Sequence, residues 1–485
     1  MTSETAELAI APKARALPRA RSLRALHAVR ALVRRLLALD HDRARALRDS
    51  WRALWSSRLL IWAAGILTLT TYGFGPVRHA FNPPGLTRGF GWLGDLLAAP
   101  AARWDASWYE VIAHYGYRPD LGAFTASRDA FFPLYPLGIR GLGWLGVPLV
   151  VAGVAISLAA LWAALYGIHR LTALEFGDLD VSRLAVLLTA FAPMAFFLSA
   201  VYSEALYLAL SVGVFYAARR GRFALVGVLA ALAGATRSTG IVLLLPALIL
   251  YLYGPREDRP PDRPGGPGRP GSRTATEPAG TLAPDRFAAL RRLTPRYRLR
   301  KDVLWLALAP AGLLAYMLYL GAAGGDALAP FHAQDVWGRH FAGPYLGVWD
   351  GVQAAFEGAR QLLSMQQSHL YFQTGGEGAF VAAEHNLLLL AFLLAGTLAT
   401  VGVLRRLPLA YGAYVVAALA LPLSYPVTAQ PLMSLPRFLV VLFPLNIWGA
   451  LWLSERPRLR RPALAGSALL LAFFLAQFAT WHWVA

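Results

Sequence analysis

The chain has 485 residues, 57% of them hydrophobic and only 15% charged, with no cysteine and a formal net charge of +19. Its apolar residues come in long unbroken blocks rather than narrow stripes, which excludes an ordinary soluble enzyme and points to an all-α polytopic membrane protein. Without cysteine there is no disulfide framework or thiolate chemistry, and in a membrane chain the positive charge is a matter of topology before it is one of nucleic acid, which is not expected as a partner.

Residues 1–58 read as a cytoplasmic basic arm. Its first 12 residues look disordered. From Leu23 to Leu37, apolar Leu23, Leu26, Val29, Val33, Leu36 and Leu37 recur at helical spacing among Arg24, Arg30, Arg34 and Arg35. That pattern describes an amphipathic helix lying on anionic membrane lipids. The arm is too long and too arginine-rich for the start of a cleavable signal peptide.

Charge-free apolar blocks follow at 59–74, 148–168, 184–202, 205–218, 223–236, 239–253, 303–320, 386–404, 407–423, 438–453 and 462–481. They predict about eleven spans. With the N-terminus inside, 36 of the 46 Lys and Arg residues fall on cytoplasmic segments and 10 outside. This bias supports a cytoplasmic N-terminus and an external C-terminus. The chain then divides into a first transmembrane half (59–253) with an outer loop at 75–147, a Pro/Gly/Arg-rich cytoplasmic loop (254–302) too poor in apolar residues to fold, and a second half (303–485) with an outer loop at 321–385. Long outer loops carrying acids, aromatics and histidines place the expected chemistry on the outer face.

In the first outer loop, "RWDASWYEVIAHYGY" (103–117) sets Trp104, Trp108, Ile112 and Tyr115 at helical spacing, as for a helix along the membrane interface. Asp105 stands at its start, where residue type alone is equally compatible with a helix cap and with a catalytic base. "FFPLYP" (131–136), with Tyr135, forces a non-helical entry into the membrane surface. "YSEAL" (202–206) puts Tyr202 and Glu204 at the outer end of two nearly continuous blocks, "TRSTG" (236–240) puts Arg237 and Ser238 in the next outer turn, and "SLPRF" (434–438) puts Arg437 at another outer mouth. Taken singly, an arginine at a span end would be expected to snorkel to the interface. Arginines kept in short outer turns, against the positive-inside bias, nevertheless suit an anionic partner such as a phosphate.

Other patterns carry less. "GFGWLG" (89–94) and "GLGWLG" (141–146) satisfy a dinucleotide-binding pattern without the strand it requires. "DLD" (178–180) lies in a short cytoplasmic loop with no nucleotide-binding domain. The outer histidines His114, His332, His340, His369 and His385 lack metal-ligand spacing, so no metal site is expected.

"WDASWYEVIAHYGY", "FFPLYP", "YSEAL" and "TRSTG", in that order from Trp104 to Gly240, with an echo in "SLPRF", resemble the GPI mannosyltransferase II (PIG-V-like) family of integral-membrane glycosyltransferases with GT-C architecture. The resemblance implies transfer of mannose from a polyprenyl-phosphate donor, a substrate rather than a cofactor, to an acceptor hydroxyl with inversion. It also implies Asp105 as base and Arg237 and Arg437 as ligands of the donor phosphate, with Trp104, Trp108, Tyr135, Tyr202, Glu204 and Ser238 as substrate-site candidates. The richness in Ala, Arg, Gly and Pro suggests a bacterial plasma membrane, so the acceptor in the family's name is not carried over, and a glycan, lipid or protein acceptor is expected instead. A transporter or lipid flippase is the competing class. Its usual mark, ionisable residues within the spans, is missing from the apolar blocks as drawn above.

Overall fold

The computed structural model describes residues 40–75, 81–118, 127–262, 294–366, 378–428 and 430–485, and the amphipathic helix expected at 23–37 lies outside them, as does the middle of the cytoplasmic loop. Among the described residues the chain is helical throughout, with only isolated β-bridges. The first part runs through α1 (His41–Tyr72), α2 (Gly91–Ala98), α3 (Ala106–Tyr115), α4 (Leu134–Gly143), α5 (Leu149–Phe176), α6 (Leu179–Ala190), α7 (Glu204–Arg219), α8 (Phe223–Gly234) and α9 (Leu244–Tyr253). The second part contains α10 (Ala311–Gly324), the short α11 (Ala329–His332), α12 (Pro344–Ser364), α13 (Ala379–Arg406), α14 (Leu409–Leu423), α15 (Leu435–Val440), α16 (Phe443–Ser454) and α17 (Pro457–Ala479).

Most apolar blocks of the sequence fall on one of these helices, whereas 184–202, 239–253, 303–320 and 438–453 are each broken within the block. Five segments, His41–Tyr72, Leu149–Phe176, Lys301–Gly324, Ala379–Arg406 and Pro457–Ala479, are long and apolar enough to cross a membrane by themselves. The chain is a multi-pass membrane protein. The remaining apolar helices are shorter, because proline and glycine interrupt what composition alone reads as continuous.

The clearest interruption is at 184–202. Here α6 ends at Ala190, before Pro193, and the chain continues through a 3₁₀ turn (Ala195–Leu198) before α7 begins at Glu204. Backbone that leaves helical geometry at membrane depth is tolerated only where protein covers it. From Met194 onward this segment is covered, with Ala195, Phe196, Phe197, Leu198 and Val201 all at 0% exposure. Its freed carbonyls find a donor in Arg58, whose Nη2 donates to Ala190 O at 2.9 Å and Nη1 to Ala195 O at 3.1 Å. Arg58 lies within helix α1, just before the block drawn at 59–74, so the spanning helix does carry a buried cation. Its partners are backbone carbonyls of the broken segment rather than a translocation path.

The Pro/Gly/Arg-rich loop at 254–302 is also more built at its ends than composition predicts. Arg256 sits 4.5 Å from the Phe223 ring, 5.0 Å from Tyr251 and 5.3 Å from Tyr297, and pairs with Asp258 at 2.6 Å. Aromatic faces and a carboxylate supply what this proline-rich stretch lacks in aliphatic core. In "DLD", Asp178 caps α6 by accepting from the Asp180 and Val181 amides. That local duty accounts for the acid without any metal or nucleotide.

Candidate active site

Helix α3 forms where "ASWYEVIAHY" begins, but it is not the half-lipid, half-water helix its periodicity predicts. Every residue from Ala106 to Ala113 is buried in protein. Trp104, 6% exposed, packs on Trp481 and Trp483 from the C-terminal end of the chain, and Trp108 stacks on Phe131 with centroids 5.0 Å apart. The helix is wedged into the bundle, so its aromatics serve packing.

The start of α3 is strained and pinned. Trp104 takes φ +54°, a left-handed conformation costly for a bulky residue. The Tyr202 hydroxyl holds that turn from across the bundle: it donates to Arg103 O and accepts from the Asp105 amide, both at 3.0 Å. One residue along, Ser203 Oγ meets Tyr109 Oη at 2.9 Å. Through these contacts "YSE" of the broken segment fixes "RWD" of the outer loop.

Asp105 occupies the N-cap position, yet its side chain makes no capping hydrogen bond. The helix-cap reading is therefore corrected. The carboxylate points instead to Arg437, whose Nη1 lies 2.5 Å from Asp105 Oδ2 and whose Nε lies 2.5 Å from Glu204 Oε1. Arg237 Nη1 donates to the same Glu204 oxygen at 2.7 Å. Two acids and two arginines from four separated segments thus form one balanced network. Below it, the Arg437 guanidinium lies over the Tyr202 ring at 4.9 Å, and Arg237 lies over Phe438 at 5.6 Å. Ser434, at φ +71°, turns the chain into the short α15 that carries Arg437.

Exposure separates the two acids. Glu204 is 0% exposed and can serve only as the anchor of the arginines, whereas the Asp105 side chain keeps 19%. Asp105 opens into a cavity of about 430 Å³ shared by Tyr109, Ser203, Arg237, Ser238, Arg437 and Phe438, and by Trp337 and Arg339 of the second outer loop. That volume suits the head group of a small ligand. The lining also includes the apolar Ile241, Leu313 and Leu421.

The remaining expected site residues divide. Ser238 lines the cavity, and Tyr202 holds the Asp105 turn from behind. Trp104 and Trp108 support α3 from the core. Tyr135 faces away, hydrogen-bonding Gly153 O and Ser157 at 2.9 and 2.8 Å, so its part is structural. Sequence reasoning passed over Tyr109, Ser203, Trp337 and Arg339. Arg339 was visible only as one of the few external arginines, in a loop with no recognised motif. Among the described residues no group of three or more His, Asp or Glu side chains stands ready for a metal.

Tyr109 and Glu110 feel the dry surroundings of α3. Burial, and then the Glu204 charge, pushes the Tyr109 hydroxyl up to about 12. Burial alone raises the Glu110 carboxyl well above its ordinary value, and neither of its oxygens has a hydrogen-bond partner among the described residues. The fold therefore retains a proton on Glu110 that the unfolded chain gives up, and stability declines as pH rises from the unfolded carboxylate value through the raised folded one. Glu110→Gln removes this dependence. The expected result is that the variant's Tm matches wild type near pH ~4 and pulls ahead of it as pH rises; parallel melting curves across that range would show instead that Glu110 does not titrate in the fold.

Known proteins resemble part of this chain in sequence. The family model described as Mannosyltransferase (PIG-V) matches residues 77–249. GPI alpha-1,6-mannosyltransferase 2 of Homo sapiens is 32% identical over 181 residues, covering 34% of this chain and 34% of that protein. The protein of that name in Rattus norvegicus is 33% identical over 182 residues, covering 34% of this chain and 36% of its own length. The chain spans about a third of the length of the curated relatives it matches. Among solved structures, the archaeal oligosaccharyltransferase AglB from Archaeoglobus fulgidus aligns with 90% of this chain and 57% of its own at a TM-score of 0.37 and 12% identity, a likeness too distant to carry an argument. Over residues 77–249, the stretch that holds Asp105, Glu204 and Arg237, the chain is similar to the PIG-V mannosyltransferases.

Proposed function

We propose that this chain is a membrane glycosyltransferase with GT-C architecture that moves a mannosyl residue from a polyprenyl-phosphate donor to an acceptor hydroxyl at the extracytoplasmic face, inverting the sugar centre. The observation that carries the reading is the placement of Asp105. It is the one acid of the network that meets the cavity, held at Oδ2 by Arg437 while its side chain keeps access to substrate.

The chemistry needs only one such acid. A sugar phosphate leaves as an anion that requires no proton, so a single carboxylate can take the proton of the attacking hydroxyl, where a glycoside hydrolase needs a pair. Preorganised cations beside the cavity would stabilise charge gathering on the departing phosphate. Ile241, Leu313 and Leu421 in the lining offer apolar surface for a prenyl chain. The arginine bias supports a cytoplasmic N-terminus, with the basic arm resting on anionic lipids, and the richness in Ala, Arg, Gly and Pro supports a bacterial plasma membrane.

The test uses the purified full chain in lipid nanodiscs with polyprenyl-phosphate mannose and a panel of lipid, glycan and peptide acceptors. Transfer of labelled mannose to one acceptor class, with opposite anomeric configuration in donor and product, is the expected result. No transfer from any lipid-linked sugar would return the chain to the transporter class.

A further inference from the structure

The four-residue network leaves a question of charge. Arg237 and Arg437 are set against Glu204 and Asp105, so two positive charges are matched by two negative ones inside the network itself. A donor phosphate needs a cation that is not already committed. Arg339 is that cation: it lines the same cavity, its Nη1 donates to the Tyr425 carbonyl at 3.0 Å, and it has no carboxylate partner among the described residues. Asp105 and Arg437 are close enough for both charges to act on it, and burial together with Arg437 brings its guanidinium down to about 10, still protonated at neutral pH.

The turn carrying Arg339 is built rather than loose. Gly338 takes φ +64°, which glycine adopts without penalty, and reverses the chain after Trp337. Trp337 packs on Trp108 at 5.7 Å and on Phe131 at 6.0 Å, anchoring the turn to both outer-loop motifs. On the far side, the His340 amide donates to Pro426 O at 3.3 Å and the Thr428 amide to Gly338 O at 3.1 Å, pairing the turn with the segment ahead of α15. Arg339, on this turn, lines the cavity together with Asp105 and Arg437.

We infer that Arg339, carried on the "WGR" turn of the second outer loop, is the principal phosphate ligand of the lipid-linked donor, and that Arg437 is a positioning residue that orients Asp105. This rests on the donor reading of the preceding subsection. A sugar phosphodiester brings one negative charge into a network already neutral, and Arg339 balances it. As the bond between the anomeric carbon and the phosphate oxygen breaks, its electron pair stays on that oxygen. The product phosphate monoester is more negative than the donor, so the same cation favours departure.

The experiment measures binding of a labelled polyprenyl monophosphate to the full chain in nanodiscs, with polyprenol as the uncharged control, alongside donor and acceptor KM. The variants are Arg339→Gln, Arg339→Lys, and Arg360→Ala as an exposed control. R339Q is expected to weaken polyprenyl phosphate binding and raise donor KM about 10- to 100-fold, with polyprenol binding and acceptor KM unchanged. R339K should fall between R339Q and wild type, and R360A should match wild type. Wild-type affinity and donor KM in both Arg339 variants would overturn the assignment while leaving the donor reading intact. A wild-type chain that binds polyprenyl phosphate no better than polyprenol would overturn the donor reading and the assignment together.

Discussion

Replacing Asp105 with asparagine is expected to lower kcat for mannosyl transfer by about 10²- to 10⁴-fold, the usual contribution of a positioned general base, with little change in donor KM. Asparagine nearly matches aspartate in size and offers Arg437 a carbonyl oxygen, so the turn held by the Tyr202 hydroxyl should persist. What it cannot do is accept the proton of an attacking hydroxyl. Because the Asp105 carboxylate makes no capping hydrogen bond, the loss cannot be blamed on helix α3 unwinding, and circular dichroism of the variant should overlay wild type. Steady-state kinetics with saturating donor decide the matter. Wild-type turnover in the D105N variant would remove Asp105 from the chemistry.

Arg437→Met should do the larger structural damage. Among the described residues Arg437 alone pairs with both acids, and it is buried over Tyr202 and Phe197. Removing one member of a buried ion network leaves an uncompensated charge, at a cost of about 3–5 kcal/mol. Glu204 still has Arg237, so the stranded charge falls on Asp105, and the double variant Asp105→Asn/Arg437→Met should regain about 1–3 kcal/mol relative to the sum of the single changes. Thermal or denaturant unfolding in detergent reads this out as a double-mutant cycle. Strict additivity would show that the contact between Asp105 and Arg437 carries no coupling. Arg437→Lys keeps the charge but lacks the fork that reaches two carboxylates at once, so it should fold better than R437M yet hold Asp105 poorly.

These results would also sort two kinds of arginine. Loss at Arg437 should appear in stability and kcat, and loss at Arg339 in donor binding. The sequence-based expectation gave Arg437 and Arg237 one shared role at the phosphate, on the ground that both stand outside against the charge bias. The geometry instead ties both to Glu204.

Much of the site was legible in order along the chain. Asp105, Glu204, Arg237 and Arg437 each sit in a short motif at the end of an apolar block, and one-sided charge counting put all four on the same face. The all-helical class was legible too, because uninterrupted apolar blocks in a membrane leave the backbone no alternative but to satisfy its own hydrogen bonds. The breaks within those blocks were not. Pro193 announces a kink, but whether the chain resumes as helix or runs on as covered irregular backbone depends on Arg58 arriving from α1 to take the freed carbonyls.

What sequence alone determined is therefore set by local chemistry: apolar length, charge bias, and motifs whose residues lie within a helical turn of each other. What only the tertiary structure decided is set by contacts between segments hundreds of residues apart. Helical spacing describes which residues share a face of α3 and says nothing of what covers that face, so a buried helix read as an interfacial one. Residue type allows an aspartate to cap or to catalyse, and the fold shows no cap: Arg437, 332 positions away, holds the carboxylate, which lines the cavity. Arg339 shows the same limit from the other side, since a lone arginine in a loop acquires meaning only when folding places it beside charges it does not share a motif with.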